Sequence, residues 1–112
     1  MIARAVADAE TATGLVFRVH VGALDAGRAS AQALLAGSTD APRTVLVAVD
    51  PARRALEIVT GSLAARQVDD RTCGLACLAM TSSFAAGDLV GGLRDGLRLI
   101  GDHARVSMRS RR

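Results

Sequence analysis

The residues of this chain whose type and spacing could do chemistry are few: Asp50, Asp69, Asp70 and Asp88, Cys73 and Cys77, and His20 and His103. The acidic set is the most interesting. Asp50 ends an apolar run, Asp69 and Asp70 follow a strand-like segment, and Asp88 stands between two helical segments. Carboxylates at strand ends and helix starts can gather over a sheet edge and hold a hard cation such as calcium or magnesium through oxygen. Asp69, Asp70 and Asp88 are therefore the candidate metal ligands. Helix capping explains Asp88 and one of Asp69 and Asp70 without any metal. No other cofactor is expected, and no catalytic residue stands out.

The remaining candidates have plainer readings. Cys73 and Cys77 lie four apart on one helical face, but no nearby Cys or His completes a metal set. Both share an apolar stripe with Met80 and Phe84, as core cysteines do. A disulfide between them fits a continuous helix poorly. Ser62, Ser82 or Ser83 could join a histidine and an aspartate, yet no nucleophile-elbow spacing is present. The glycines of GDLVGG (87–92) invite a phosphate-loop reading. The chain contains no lysine, so a Walker-type loop is excluded.

These residues must be positioned by the elements around them. Thr44–Gly61 reads as two strands and a tight turn. Val45–Val49 is unbroken apolar, as in a strand covered on both faces. Asp50-Pro51 ends it, because proline presets φ and donates nothing to a ladder. Arg54–Thr60 returns with Leu56, Ile58 and Thr60 on one face. Before it, Ile2–Thr13 reads as an amphipathic helix with Gly14 just past its end. Leu15–Gly22 reads as a strand whose Arg18 and His20 suggest an edge or a wet end. Asp25–Ala36 reads as a helix with Asp25 as N-cap, and residues 37–42 as a loop. Strand, helix and strand predict a parallel pair with a right-handed crossover. The all-apolar strand belongs in the middle, antiparallel to the third. Ser62–Gln67 reads as a helical turn, Arg71–Ala86 as a helix ended by Gly87, and Leu89 to about Val106 as the last helix. Glycines 91, 92, 96 and 101 disfavour that helix unless they allow close packing, expected against the helix before it. Together these predict a three-layer α/β/α sandwich with a small mixed sheet, a parallel βαβ unit plus an antiparallel hairpin.

Charge bounds the partners. All 14 basic residues are arginine, against 11 acids, for a net charge of +3. Four arginines fall in the last eight residues, leaving the body with 10 Arg against 11 acids. Residues 1–106 therefore read as one domain, and 107–112 as a basic tail that could touch an anionic membrane surface. Phe17 and Phe84 are the only aromatics, which disfavours base stacking and specific nucleic-acid binding. No leader or membrane-spanning segment is read from the sequence, so a cytoplasmic location, peripheral to a membrane at most, is expected.

Thr13-Gly14, VLVAVDPARRALEIVTG (45–61), Asp69 and FAAGD (84–88) with Gly92 and Gly96 together resemble the TPM domain family. AVDP, EIVTG and MTSSFAAGDLVGGL are especially similar to an actinobacterial TPM-like family of unknown function. The resemblance implies a TPM-like fold and, through Asp69, Asp70 and Asp88, a divalent-cation-dependent phosphatase. The stretch 61–66 lacks the acid that such domains usually carry there. The leading expectation is therefore a non-catalytic accessory or protein-interaction module with an unknown protein partner. The phosphatase is the alternative, and membrane-surface binding through the tail is weaker still. An enzyme needs the carboxylates to converge in a cleft, whereas an interaction module needs an exposed patch.

Overall fold

Strand β2 (Thr44–Asp50) is buried at every residue, and the molecule is assembled on its two faces. The computed structural model describes residues 2–110, with side chains described through Ala104. Strand β1 (Val16–Val21) runs parallel to β2, and β3 (Ala55–Thr60) antiparallel, in the order β1-β2-β3. The apolar strand is therefore central, as its lack of a polar face requires. Val45, Val47 and Val49 point to one side with Phe17 and Ile58. Leu46 and Ala48 point to the other with Val59.

Each side has its own helical layer. Helix α2 (Arg28–Ala36) covers the second face with Ala31 and Leu35, joined by Leu24. Helices α1 (Ile2–Thr13), α3 (Asp70–Ala85) and α4 (Leu89–Ser110) cover the first. The fold is thus a small α/β sandwich of three layers. Ala76 and Met80 of α3 are fully buried, with Cys73, Cys77 and Phe84 packed against the same cluster. A short 3-10 turn, Ala64–Arg66, follows β3.

Two of the α4 glycines, Gly92 and Gly96, do what their helix cost implies. A Cβ on Gly96 would stand 2.5 Å from Met80 Sδ, and one on Gly92 2.7 Å from Phe84. Gly101 instead meets Ala9 of α1 at 3.5 Å. Helix α4 therefore packs closely against both neighbours, not only against α3. Gly14 and Gly87 sit at φ +73° and +84°, where glycine ends α1 and α3 without a Cβ penalty. Gly74 differs: it is exposed, and a Cβ there meets nothing within 4 Å. Gly74→Ala is expected to stabilise the domain by about 1 kcal/mol, read as a higher urea midpoint at unchanged slope.

One element starts later than the sequence suggests. Helix α2 begins at Arg28 with Gly27, φ +57°, in the cap position and no side-chain cap. Asp25 is drawn away to Arg53, 2.7 Å from its carboxylate. The Leu24 N–H is held by Asp50 at 2.9 Å. The buried Leu24–Asp50 bond anchors the chain just before the turn at residues 25–27, and Asp25, turned to Arg53, caps nothing. The segment 107–112 lies outside the described side chains. No helix among the described residues is long and apolar enough to cross a membrane.

Candidate functional site

The three candidate carboxylates cap helices, and the helix between them keeps them apart. Asp69 Oδ1 accepts from the Thr72 N–H at 2.8 Å as the N-cap of α3. That bond, with the Thr72 hydroxyl second, holds the Asp69 carboxyl below its usual range, against a smaller opposing effect of burial. Asp70 occupies the first turn. Asp88 Oδ1 accepts from the Gly91 N–H at 2.8 Å, beyond the other end of α3. With 16 residues in α3, the two ends stand about 24 Å apart at 1.5 Å per residue. The structure places Asp69 and Asp70 side by side and does not bring Asp88 to them. Among the described residues, no group of three His, Cys, Asp or Glu side chains is arranged to hold a metal.

The cysteines are quiet. Burial, then the neighbouring Cys77, pushes the Cys73 thiol up to about 11. Burial raises Cys77 in the same direction. Both are protonated at neutral pH, and the protonated thiol is a poor nucleophile and ligand.

Asp50 has a role its sequence position does not announce. Its side chain is 4% exposed. It accepts from Leu24 N–H at 2.9 Å, Arg53 N–H at 3.3 Å and Arg53 Nη1 at 3.2 Å. The residue clamps the β1–α2 loop to the hairpin turn. Its lone pairs are spent on the chain's own donors, which makes it a structural group.

Helix α3 also has an outer side, which is exposed. From Thr72 to Ala85 the helix carries no charge. Its buried side is Thr72, Ala76 and Met80. Gly74, Leu75, Leu78, Thr81, Ser82 and Ala85 are all exposed, and at 100° per residue they share an arc of about 120°. Leu78 sits near its centre, 70% exposed, and Leu75 is 37% exposed. A helix apolar or neutral on all sides is ordinarily covered on all sides. By contrast, α4 turns Asp95, Arg98 and Asp102 to solvent. The sequence reading stopped at the buried stripe of α3. The signal for the other face was the missing charge from residue 72 to 85.

Beside α3 lies the edge of β3, and two clefts open between them. One, of about 350 Å³, is lined by Ile58, Thr60, Cys73, Gly74 and Cys77 together with the charged Arg28, Glu57 and Asp70. The other, of about 430 Å³, is lined by Leu56, Thr81, Phe84 and Ala85 and reaches the hairpin turn at Pro51 and Arg54 and the start of α4 at Leu89.

A family described as "Domain of unknown function (DUF5130)" matches residues 1–101. Four chains among solved structures match. One is the NMR structure of BA42 protein from the psychrophilic bacterium Bizionia argentinensis sp. nov., with a TM-score of 0.76 and 23% identity. The match covers 95% of this chain and 77% of that one. At that identity it shows a shared fold. No curated protein matches. These findings replace the TPM resemblance: the family matched is DUF5130, and no TPM domain is shown. The physical reason lies in the motifs themselves. Asp50-Pro51 closes a hairpin, Gly61 clears a backbone, and Gly87-Asp88 ends one helix and caps the next. Such constraints belong to a way of folding and do not single out a family.

Proposed function

The chain belongs to the DUF5130 family, and we propose that it is a non-catalytic interaction module that docks an apolar surface of a partner protein on the outer face of α3. One observation carries the reading: an uncharged helix face with Leu78 70% exposed at its centre. Leucine at that exposure, flanked by small residues, offers apolar area without a desolvation penalty, the makings of an interface core. The phosphatase alternative has less support, because Asp88 stands a helix length from Asp69 and Asp70. A cytoplasmic location is part of the proposal; the two thiols, at a spacing on one helix that disfavours a disulfide in any compartment, are compatible with it.

The test places a photo-crosslinking residue at position 78, and in a control at Asp8 on α1, in cells that make the chain naturally. The expected result is one protein captured from position 78 and not from position 8. Purified, it binds the wild-type chain, and Leu75→Glu weakens that binding about tenfold or more. Equal capture from both positions, or binding indifferent to Leu75→Glu, overturns the reading. Circular dichroism of the variant controls for folding, since Leu75 is outside the core cluster.

A further inference from the structure

The cleft of about 430 Å³ at the hairpin end of β3 joins an apolar floor to a single charge. Val49 is buried in it, and Ala55, Leu56, Phe84 and Leu89 are half-buried along it. Arg54 stands exposed at the rim. Of the described residues that line the cleft, none is acidic and no other is charged. Thr81 carries the other polar side chain, and its hydroxyl already donates to Cys77 O at 2.7 Å. The guanidinium of Arg54 is therefore the one lining side chain with uncommitted donors.

The hairpin turn holds two adjacent arginines in different states. Arg53 Nη1 lies 2.7 Å from Asp25 and 3.2 Å from Asp50. That arrangement occupies both acids near the turn. Among the described residues, none forms an ion pair or side-chain hydrogen bond with Arg54. Its backbone is also unusual, at φ +53°. Glycine and asparagine ordinarily fill that left-handed position in a hairpin, and a longer side chain there is strained. A strained residue whose charge is left free at the rim of a cleft is a pointer to function.

We propose that this cleft binds a small aliphatic carboxylic acid, its carboxylate on the Arg54 guanidinium and its hydrocarbon chain against Leu56, Phe84 and Leu89. A guanidinium meets a carboxylate through two parallel hydrogen bonds. One cation matches one negative charge. A phosphate monoester would bring close to two charges and a third oxygen, with apolar walls as its neighbours. The volume falls within the range of small-molecule sites, about 300–1,000 Å³. Neither Leu75 nor Leu78 lines the cleft, so the site is separate from the outer face of α3.

Octanoate is titrated into the full chain and followed by amide chemical shifts. The expected result is saturable binding at about 1 mM or tighter, with shifts centred on Arg54, Leu56, Phe84 and Leu89. Octanol has the chain without the charge, and acetate the charge without the chain. Each binds at least about tenfold more weakly. Arg54→Gly separates binding from folding. It relieves the left-handed strain, so the urea midpoint holds or rises, while octanoate affinity falls about tenfold or more. Ala85→Phe, at an exposed helix position, fills the cleft and gives the same loss with the turn untouched. Leu78→Glu leaves octanoate binding unchanged, so failure here is distinct from failure of the outer-face reading. No saturable shifts, octanol binding as well as octanoate, affinity indifferent to both Arg54→Gly and Ala85→Phe, or shifts centred on Leu75 and Leu78 overturns the inference. A peptide with a free C-terminal leucine that outcompetes octanoate also overturns it, because the site would then take a protein terminus.

Discussion

Gly61→Ala is expected to remove about 3–5 kcal/mol of the domain's stability. An added Cβ would lie 1.9 Å from Ala41 O and 2.6 Å from Pro42 O. Both are backbone atoms, so no rotamer change relieves the contact. The segment 41–43 or the end of β3 must move. Either movement breaks Gly61 N–H to Thr44 O and Leu63 N–H to Pro42 O, now 2.9 and 2.8 Å. Overpacking and two lost hydrogen bonds together cost about 3–5 kcal/mol, against a total stability of about 5–15 kcal/mol for a domain of this kind. Urea unfolding decides it. A midpoint within experimental error of the wild type would show that the β2–β3 end is looser than the packing implies.

Asp50→Ala is expected to lower the melting temperature by about 10 °C or more at neutral pH, because it strands the buried Leu24 N–H and removes the partner of the Arg53 N–H in the hairpin turn. The pH dependence identifies the cause. The Leu24 N–H, more than any other group, holds the Asp50 carboxyl below its ordinary 3.8, with burial opposing and Arg53 assisting. A depressed folded-state value means that the carboxylate's contribution is complete above the unfolded value. It is lost as pH falls through the lower folded one. The stability gap between wild type and Asp50→Asn should therefore be widest at neutral pH and shrink below about pH 4. A gap constant through acid would show that neutral hydrogen bonding, not charge, sets the clamp. The outer pair, Arg53 with an 81% exposed Asp25, adds little of its own.

Local chemistry was legible in the chain. The unbroken apolar run Val45–Val49 put one strand at the centre, and its connections made one neighbour parallel and the other antiparallel. Gly14, Asp69, Gly87 and Asp88 each declared a helix end, since a cap acts within four residues. Asp25 misled for the same reason. It has the type and position of a cap, but its partner is Arg53, 28 residues away.

The site was less legible. The stripe of Cys73, Ala76, Met80 and Phe84 identified the buried side of α3. It could not say that Leu75 and Leu78 would be left exposed, because that depends on which helices arrive at that side.

Sequence by itself determined the strands, the sheet order and the helix ends marked by Gly14, Asp69, Gly87 and Asp88, all properties of residues within a few positions or of short connections. Tertiary structure alone decided the rest. It set Asp88 a helix length from Asp69 and Asp70, made Asp50 a clamp across the sheet end, and left Leu75 and Leu78 of α3 exposed. Those facts depend on contacts between residues distant in the chain, which no local pattern records.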